Sequence, residues 1–217
     1  MDRSTRVRKI FSVFLFFIGL SIMMYPHIAQ YINNIHATQL VQAYFADDLE
    51  GPNGTGGANG ANGAKVDGKP TIDFLDENIF GSINIPKLGL ELPIYTGPTV
   101  ENLERGIAHV EGTSLPVGGV DTHSVLAGHH GRVTNEWFTH IDQLSEGDLF
   151  YIRSKEQLLT YKVISLKVID PEDDSDLRIV KGRDLVTLYT CTPSRLQRVI
   201  VTGERVLDES WAPPATN

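Results

Sequence analysis

The chain carries a single cysteine in 217 residues. One thiol closes no bridge within the chain, and it leaves a cysteine-built zinc site short of ligands. Positive charge is also scarce: Lys and Arg number 19 against 27 Asp and Glu, a formal net charge of −8. No basic cluster occurs outside the N-terminus, which argues against nucleic acid, because phosphate backbones are bound through Lys and Arg. The first apolar run is followed by no small-x-small cleavage site; Met23-Met24-Tyr25-Pro26 stands there instead. A second apolar run is missing too, since the chain after Val206 is short and polar with Pro213-Pro214. The acidic stretch Glu172-Asp173-Asp174-Ser175-Asp176 lacks the Gly-centred pattern of a calcium loop. His123, His129 and His130 have only Asp121 as a nearby carboxylate. Neither group is read as a metal site, and no cofactor is expected.

What is present begins with Arg3, Arg6, Arg8 and Lys9, a basic flank over 1–9. A mostly apolar run follows, and residues 10–32 supply about the ~20 residues that a spanning helix needs. The stretch reads as an uncleaved, single-pass transmembrane signal anchor, basic end inside and the bulk of the chain extracellular. Ile35, Leu40, Val41, Tyr44 and Phe45 recur at roughly helical spacing, so a juxtamembrane helix is expected over 33–48. Glycine then stands at every third position across 51–63, too few triplets for a collagen helix, and 49–71 reads as a flexible linker. A folded domain is expected over 72–208 and a tail over 209–217.

Within that domain, residues 80–86, 90–95, 123–127, 149–153, 158–170 and 185–190 read as strands, punctuated by Gly and Pro. Residues 100–105 and 136–144 read as short helices. Many short strands with few helices indicate an all-β barrel or sandwich.

The run Leu185-Val186-Thr187-Leu188-Tyr189-Thr190 delivers Cys191 and stops at Pro193. Seven residues on, Arg198 opens a second β-like run, Val199-Ile200-Val201-Thr202. So short a connection predicts antiparallel neighbours, with thiol and guanidinium near one end. A lone cysteine in an exported chain is a reactive thiol or an intermolecular bridge, and its place at a strand end favours reactivity over burial as a small hydrophobe. Thiols attack as thiolates, a form that a nearby imidazole or cation promotes. Seven histidines are on offer. His27 lies in the anchor and His36 just beyond it, while His109, His123 and His140 sit in strand-like or helical contexts that suit structural roles. His129 and His130 stand between Gly128 and Gly131 at a strand end, where a side chain can project into a cleft. A histidine, a cysteine and an arginine so placed suffice for acyl transfer: the imidazole protonates the leaving amine, and the cation or backbone N–H groups steady the oxyanion.

Thr187-Leu188-Tyr189-Thr190-Cys191 resembles the Thr-Leu-x-Thr-Cys signature of sortases, the membrane-anchored cysteine transpeptidases of Gram-positive surfaces. The continuation through Thr192-Pro193 is similar to the pilin-polymerising class C branch. So are Glu111-Gly112-Thr113-Ser114-Leu115-Pro116-Val117-Gly118-Gly119, Gly128-His129-His130-Gly131 and Arg198-Val199-Ile200-Val201-Thr202-Gly203-Glu204-Arg205. The resemblance covers roughly residues 80–206, with its motifs in order. It implies a sortase-type closed β-barrel with short helices, behind the N-terminal transmembrane helix. It also implies Cys191 as nucleophile, His129 as acid/base and Arg198 as the cation at the oxyanion or substrate, with His130 and Arg195 as runners-up. The partners implied are pilin or surface proteins with a C-terminal LPxTG-like sorting signal, cleaved after threonine, held as a thioester and passed to a pilin lysine. Attachment of surface proteins to peptidoglycan is the alternative within the enzyme class; a non-catalytic membrane-tethered assembly module lies outside it. Three features depart from class C. The only Asp-Pro is Asp170-Pro171, with the Gly-rich linker where an Asp-Pro-aromatic lid would be; a C-terminal membrane helix is missing; and 192–197 is short.

Overall fold

Proline and glycine set the first turn of the domain. Strand β1 (Ile79–Ile85) runs into Pro86, whose ring suits the start of the 3-10 turn Pro86–Leu88. Gly89 closes that turn at φ 61°, where a Cβ would be strained. Strand β2 (Leu90–Thr96) then returns antiparallel, with Leu92 opposite Ile83. Helix α2 (Val100–Arg105) starts where Thr99 accepts the Asn102 N–H, and the Asn102 side chain donates to the carbonyls of Thr96 and Gly97. These bonds deliver β3 (Ile107–His109) alongside β2 in parallel. The computed structural model describes residues 3–46, 78–131, 137–154 and 157–206. The linker expected over 49–71, the domain's first residues from 72, and the tail 209–217 lie outside the described residues.

Strands β4 (Thr122–Ala127), β5 (Leu149–Arg153), β6 (Leu158–Ile169), β7 (Asp184–Cys191) and β8 (Arg198–Arg205) complete a closed barrel, in the order β1-β2-β3-β4-β7-β8-β6-β5. The architecture is a barrel and not a sandwich. Its interior holds Ile83, Leu92, Leu126, Phe150, Tyr161 and Leu188, all essentially inaccessible, with the Phe150 and Tyr161 rings stacked at 5.5 Å. One end gathers the C-termini of β1, β4, β6 and β7 and the N-termini of β2, β3, β5 and β8. Cys191 marks that end; Asp184 and Arg205 mark the other.

One expectation needs correction, and one strand was not foreseen. The helix expected over 136–144 is a turn followed by a 3-10 turn, Ile141–Gln143, among the described residues 137–144. Its backbone bonds explain why: the Phe138 N–H donates out of the segment to His129, and the N–H groups of Ile141, Gln143 and Leu144 reach carbonyls only three residues back. Strand β3 had no sequence signal, being three residues long.

The N-terminal segment is one continuous helix, α1 (Arg3–Ala46), 44 residues long. Ala37, Val41 and Phe45, spaced by four, are buried against the barrel, mainly along β2. The Tyr44 hydroxyl donates to the Phe80 carbonyl at 3.3 Å, and the Arg153 guanidinium stacks 3.9 Å from the Phe45 ring. Among the described residues no helix is long and apolar enough to cross a membrane, so the span expected at 10–32 is not shown. Several side chains of that stretch lie outside the described residues.

Candidate active site

Strand β7 is paired on both flanks, parallel to β4 and antiparallel to β8. Its ladder with β8 ends with Cys191 directly opposite Arg198. Facing residues of an antiparallel pair have Cα atoms about 4.5–5.5 Å apart, so the thiol and the guanidinium start from adjacent backbones. Cys191 is half-buried and in no disulfide. On the other flank the last pair is Ala127 with Tyr189. One residue further, the Gly128 N–H donates to the Tyr189 carbonyl at 3.0 Å, and the Thr190 hydroxyl donates to the Gly128 carbonyl at 2.8 Å. The Phe138 N–H holds the His129 carbonyl at 3.0 Å. These bonds pin the His129 backbone beside the end of β7. All three residues expected to carry the chemistry thus lie at one end of the barrel: Cys191 ends β7, Arg198 opens β8, and His129 follows the end of β4 by two residues.

Arg198 is constrained in a way the sequence did not reveal. Its Nη1 donates to the carbonyls of Arg195 and Gln197, at 3.2 and 3.1 Å, so the guanidinium braces the β7–β8 turn. Thr192 closes the same turn by donating its N–H to Gln197 and accepting the Arg195 N–H at its carbonyl. Arg195 itself sits at φ 61° and is exposed at the turn's tip. His130 follows His129, half-buried. Thr190 and Phe138 were missed as site-building residues. Thr190 could have been noticed as a threonine at a buried strand position, where its hydroxyl needs a partner; Phe138 leaves no such mark.

Two other histidines are structural in their contacts. His109 is buried and bonds Ser114 and Thr113 through Nε2. His123 is 1% exposed. Its Nδ1–H donates to the Arg178 carbonyl at 2.8 Å, which leaves Nε2 to accept the Thr187 hydroxyl at 2.7 Å. Burial pushes the His123 pKa below the ordinary imidazole value, aided by Arg183; the Arg178 carbonyl and Asp176 act in the opposite direction. The folded chain therefore holds His123 neutral where the unfolded chain takes up a proton, and stability falls as pH drops through the unfolded value of about 6.5. Thermal unfolding should show the midpoint falling between about pH 7 and pH 5, less steeply in His123→Gln. Parallel slopes would remove His123 as a source of the acid sensitivity.

In the acidic loop, Asp174 pairs with Arg178 and Asp176 with Lys167. Among the described residues no group of three His, Cys, Asp or Glu side chains could hold a metal ion. A cleft of about 370 Å³ lies at the opposite barrel end, lined by Gly118, Gln157, Leu159, Asp184 and Arg205 among others. It is separated from Cys191 by the length of β7 and is no part of the thiol site.

Comparison with known proteins agrees with this geometry. A family model described as a sortase domain matches residues 83–206. The solved structure of sortase C-1 from Actinomyces oris is 47% identical, with a TM-score of 0.60, over 62% of this chain and 77% of that one. The Group B Streptococcus Pilus Island 1 sortase C2 is 44% identical, with a TM-score of 0.58, over 59% and 74%. Sortase D of Bacillus subtilis (strain 168) is 29% identical over 131 residues, 58% of this chain and 63% of that relative's length. The family match covers more than half of the sequence and nearly the whole barrel, including the strand ends that carry His129, Cys191 and Arg198, so the chain belongs to the sortase family of cysteine transpeptidases.

Proposed function

We propose that this sortase is a class C-like, membrane-anchored transpeptidase that joins pilin subunits on the extracellular side of the cell membrane. The observation that carries the site is the register of β7. It sets the only cysteine of the chain opposite Arg198 and beside the clamped backbone of His129. The Cys191 thiolate attacks the threonine carbonyl of an LPxTG-like sorting signal. The carbon–sulfur bond forms, the peptide C–N bond breaks, and His129 gives the leaving amine its proton. A lysine amine of the next subunit then attacks the thioester, His129 takes up its proton, and Cys191 leaves as thiolate. Nη1 of Arg198 is engaged with turn carbonyls, which orients the guanidinium; Nε and Nη2 serve the oxyanion.

Similarity to the C-type sortases, one from a pilus island, supports pilin as substrate class. Membrane anchorage is supported by exposed Phe11, Phe14, Phe16, Ile22 and Met23 on α1, after a basic flank. Soluble proteins rarely expose so many large apolar side chains on one helix, and a patch of this kind marks a surface that meets a partner or a membrane.

Turnover of an LPxTG-type peptide should rise when a lysine-type amine is added, because hydrolysis of the thioester is slow without an acceptor. Equal rates with and without amine, measured by product chromatography, would count against transpeptidation. Pilin polymerisation further predicts isopeptide-linked ladders on denaturing gels, whereas wall attachment yields single products joined to peptidoglycan.

A further inference from the structure

Helix α1 joins two surfaces of opposite character. Over residues 11–32 large apolar side chains stand exposed, while from Ala37 onward one face is buried on the barrel. The last turn of α1 lies at the barrel end away from Cys191. There Tyr44 bonds the Phe80 carbonyl near the start of β1 and packs with Ile79 and Tyr95, and Arg153, the last residue of β5, covers Phe45. Ala37, about two turns earlier, is equally buried at 2% exposure and belongs to the main core cluster, against which Leu88 and Leu90 also pack. Strand β2 is the element α1 touches most. A helix that ends beside the end of β2, while its earlier turns still lie on β2, runs in the same direction as β2. Its N-terminal continuation therefore leaves where β2 begins, at the Cys191 end.

The lengths agree. From Phe45 back to Ile32 the helix spans about 20 Å at 1.5 Å per residue. From Asp184 to Cys191 the strand spans about 23 Å, or about 17 Å along the barrel axis at the usual tilt. The end of the apolar stretch is thus level with the cysteine to within about one helical turn.

We infer that the catalytic end of the barrel faces the bilayer, with Cys191 near headgroup height and the β7–β8 turn touching lipid. This rests on the anchor proposed above. The turn has the composition for that contact: Leu196 is 75% exposed at its tip, beside the exposed cation of Arg195, and Val168 is exposed at the same end of the barrel. An apolar side chain entering the interface with an adjacent cation for a lipid phosphate is the chemistry of an interfacial contact. The opposite end, which carries the exposed Val120, then points away from the membrane.

The test uses the full chain in a Cys191→Ala background, with a single fluorophore placed through Leu196→Cys, Val120→Cys or Ile22→Cys. The protein is reconstituted into phosphatidylglycerol–phosphatidylethanolamine vesicles containing a phospholipid with a nitroxide-labelled headgroup. Quenching is expected to be several-fold stronger at position 196 than at 120. Equal quenching, or stronger quenching at 120, overturns the orientation while the anchor stands, provided the label at 22 reports an apolar surrounding. A chain that does not float with the vesicles, and whose label at 22 reports water, sinks the anchor and the orientation together.

Discussion

Cys191→Ala should leave the barrel folded and form no acyl adduct with a sorting-signal peptide. The side chain is half-buried at a strand end, so the methyl group of alanine retains the strand while the sulfur is lost. Turnover should fall by roughly 10⁴-fold or more, the scale seen when a nucleophile that works as a unit with its base is removed. Intact-protein mass spectrometry on wild type and variant reads the adduct directly. An adduct that persists in the alanine protein would move the chemistry to another residue, and unimpaired pilus assembly by that protein would favour a tethered assembly module. His129→Ala separates the roles further. It keeps the thiol but removes the proposed proton donor, for an expected loss of about 10²–10⁴-fold.

Gly128→Ala should damage both stability and activity, although it adds one methyl group and replaces no residue for which a chemical role is proposed. A Cβ at this position would stand 2.7 Å from the Phe138 ring and 3.1 Å from Ile107. Gly128 is at the same time bonded through both its N–H and its carbonyl to β7. Neither side gives easily, because Phe138 is fully buried and its N–H holds His129. Overpacking of this kind costs about 1–3 kcal/mol. Whatever shift relieves the clash also moves the His129 backbone, and a displacement of about 1 Å at a catalytic group can cost roughly 10²-fold in rate. Chemical denaturation and peptide turnover should both register the change. A stable protein with wild-type turnover would show that the segment has slack, and that the clamp on Gly128 does not position the histidine.

The local pattern was enough for most of the barrel. Residues 149–153 match β5 and residues 100–105 match α2, because Gly/Pro punctuation and β-branched runs are local signals. Residues 137–144 defied the helical reading. Phe138 spends its N–H on His129, a choice dictated by what the segment packs against and not by its own composition. The three-residue β3 exists because β2 and β4 offer bonds on either side.

The order of residues alone singles out the candidates for the chemistry: one thiol, a Gly-flanked pair of histidines, and an arginine at the start of a strand. It also puts Cys191 and Arg198 at a shared end, since a connection of six residues between antiparallel strands leaves little choice. That His129 comes up on the other flank of β7 emerges only in the folded chain, because that pairing is parallel and joins segments some sixty residues apart. The same holds for Arg198 bracing its own turn and for α1 running along β2. Contacts of this kind are chosen by burial and by hydrogen bonds between distant segments, and neither leaves a periodicity in the residues that make them.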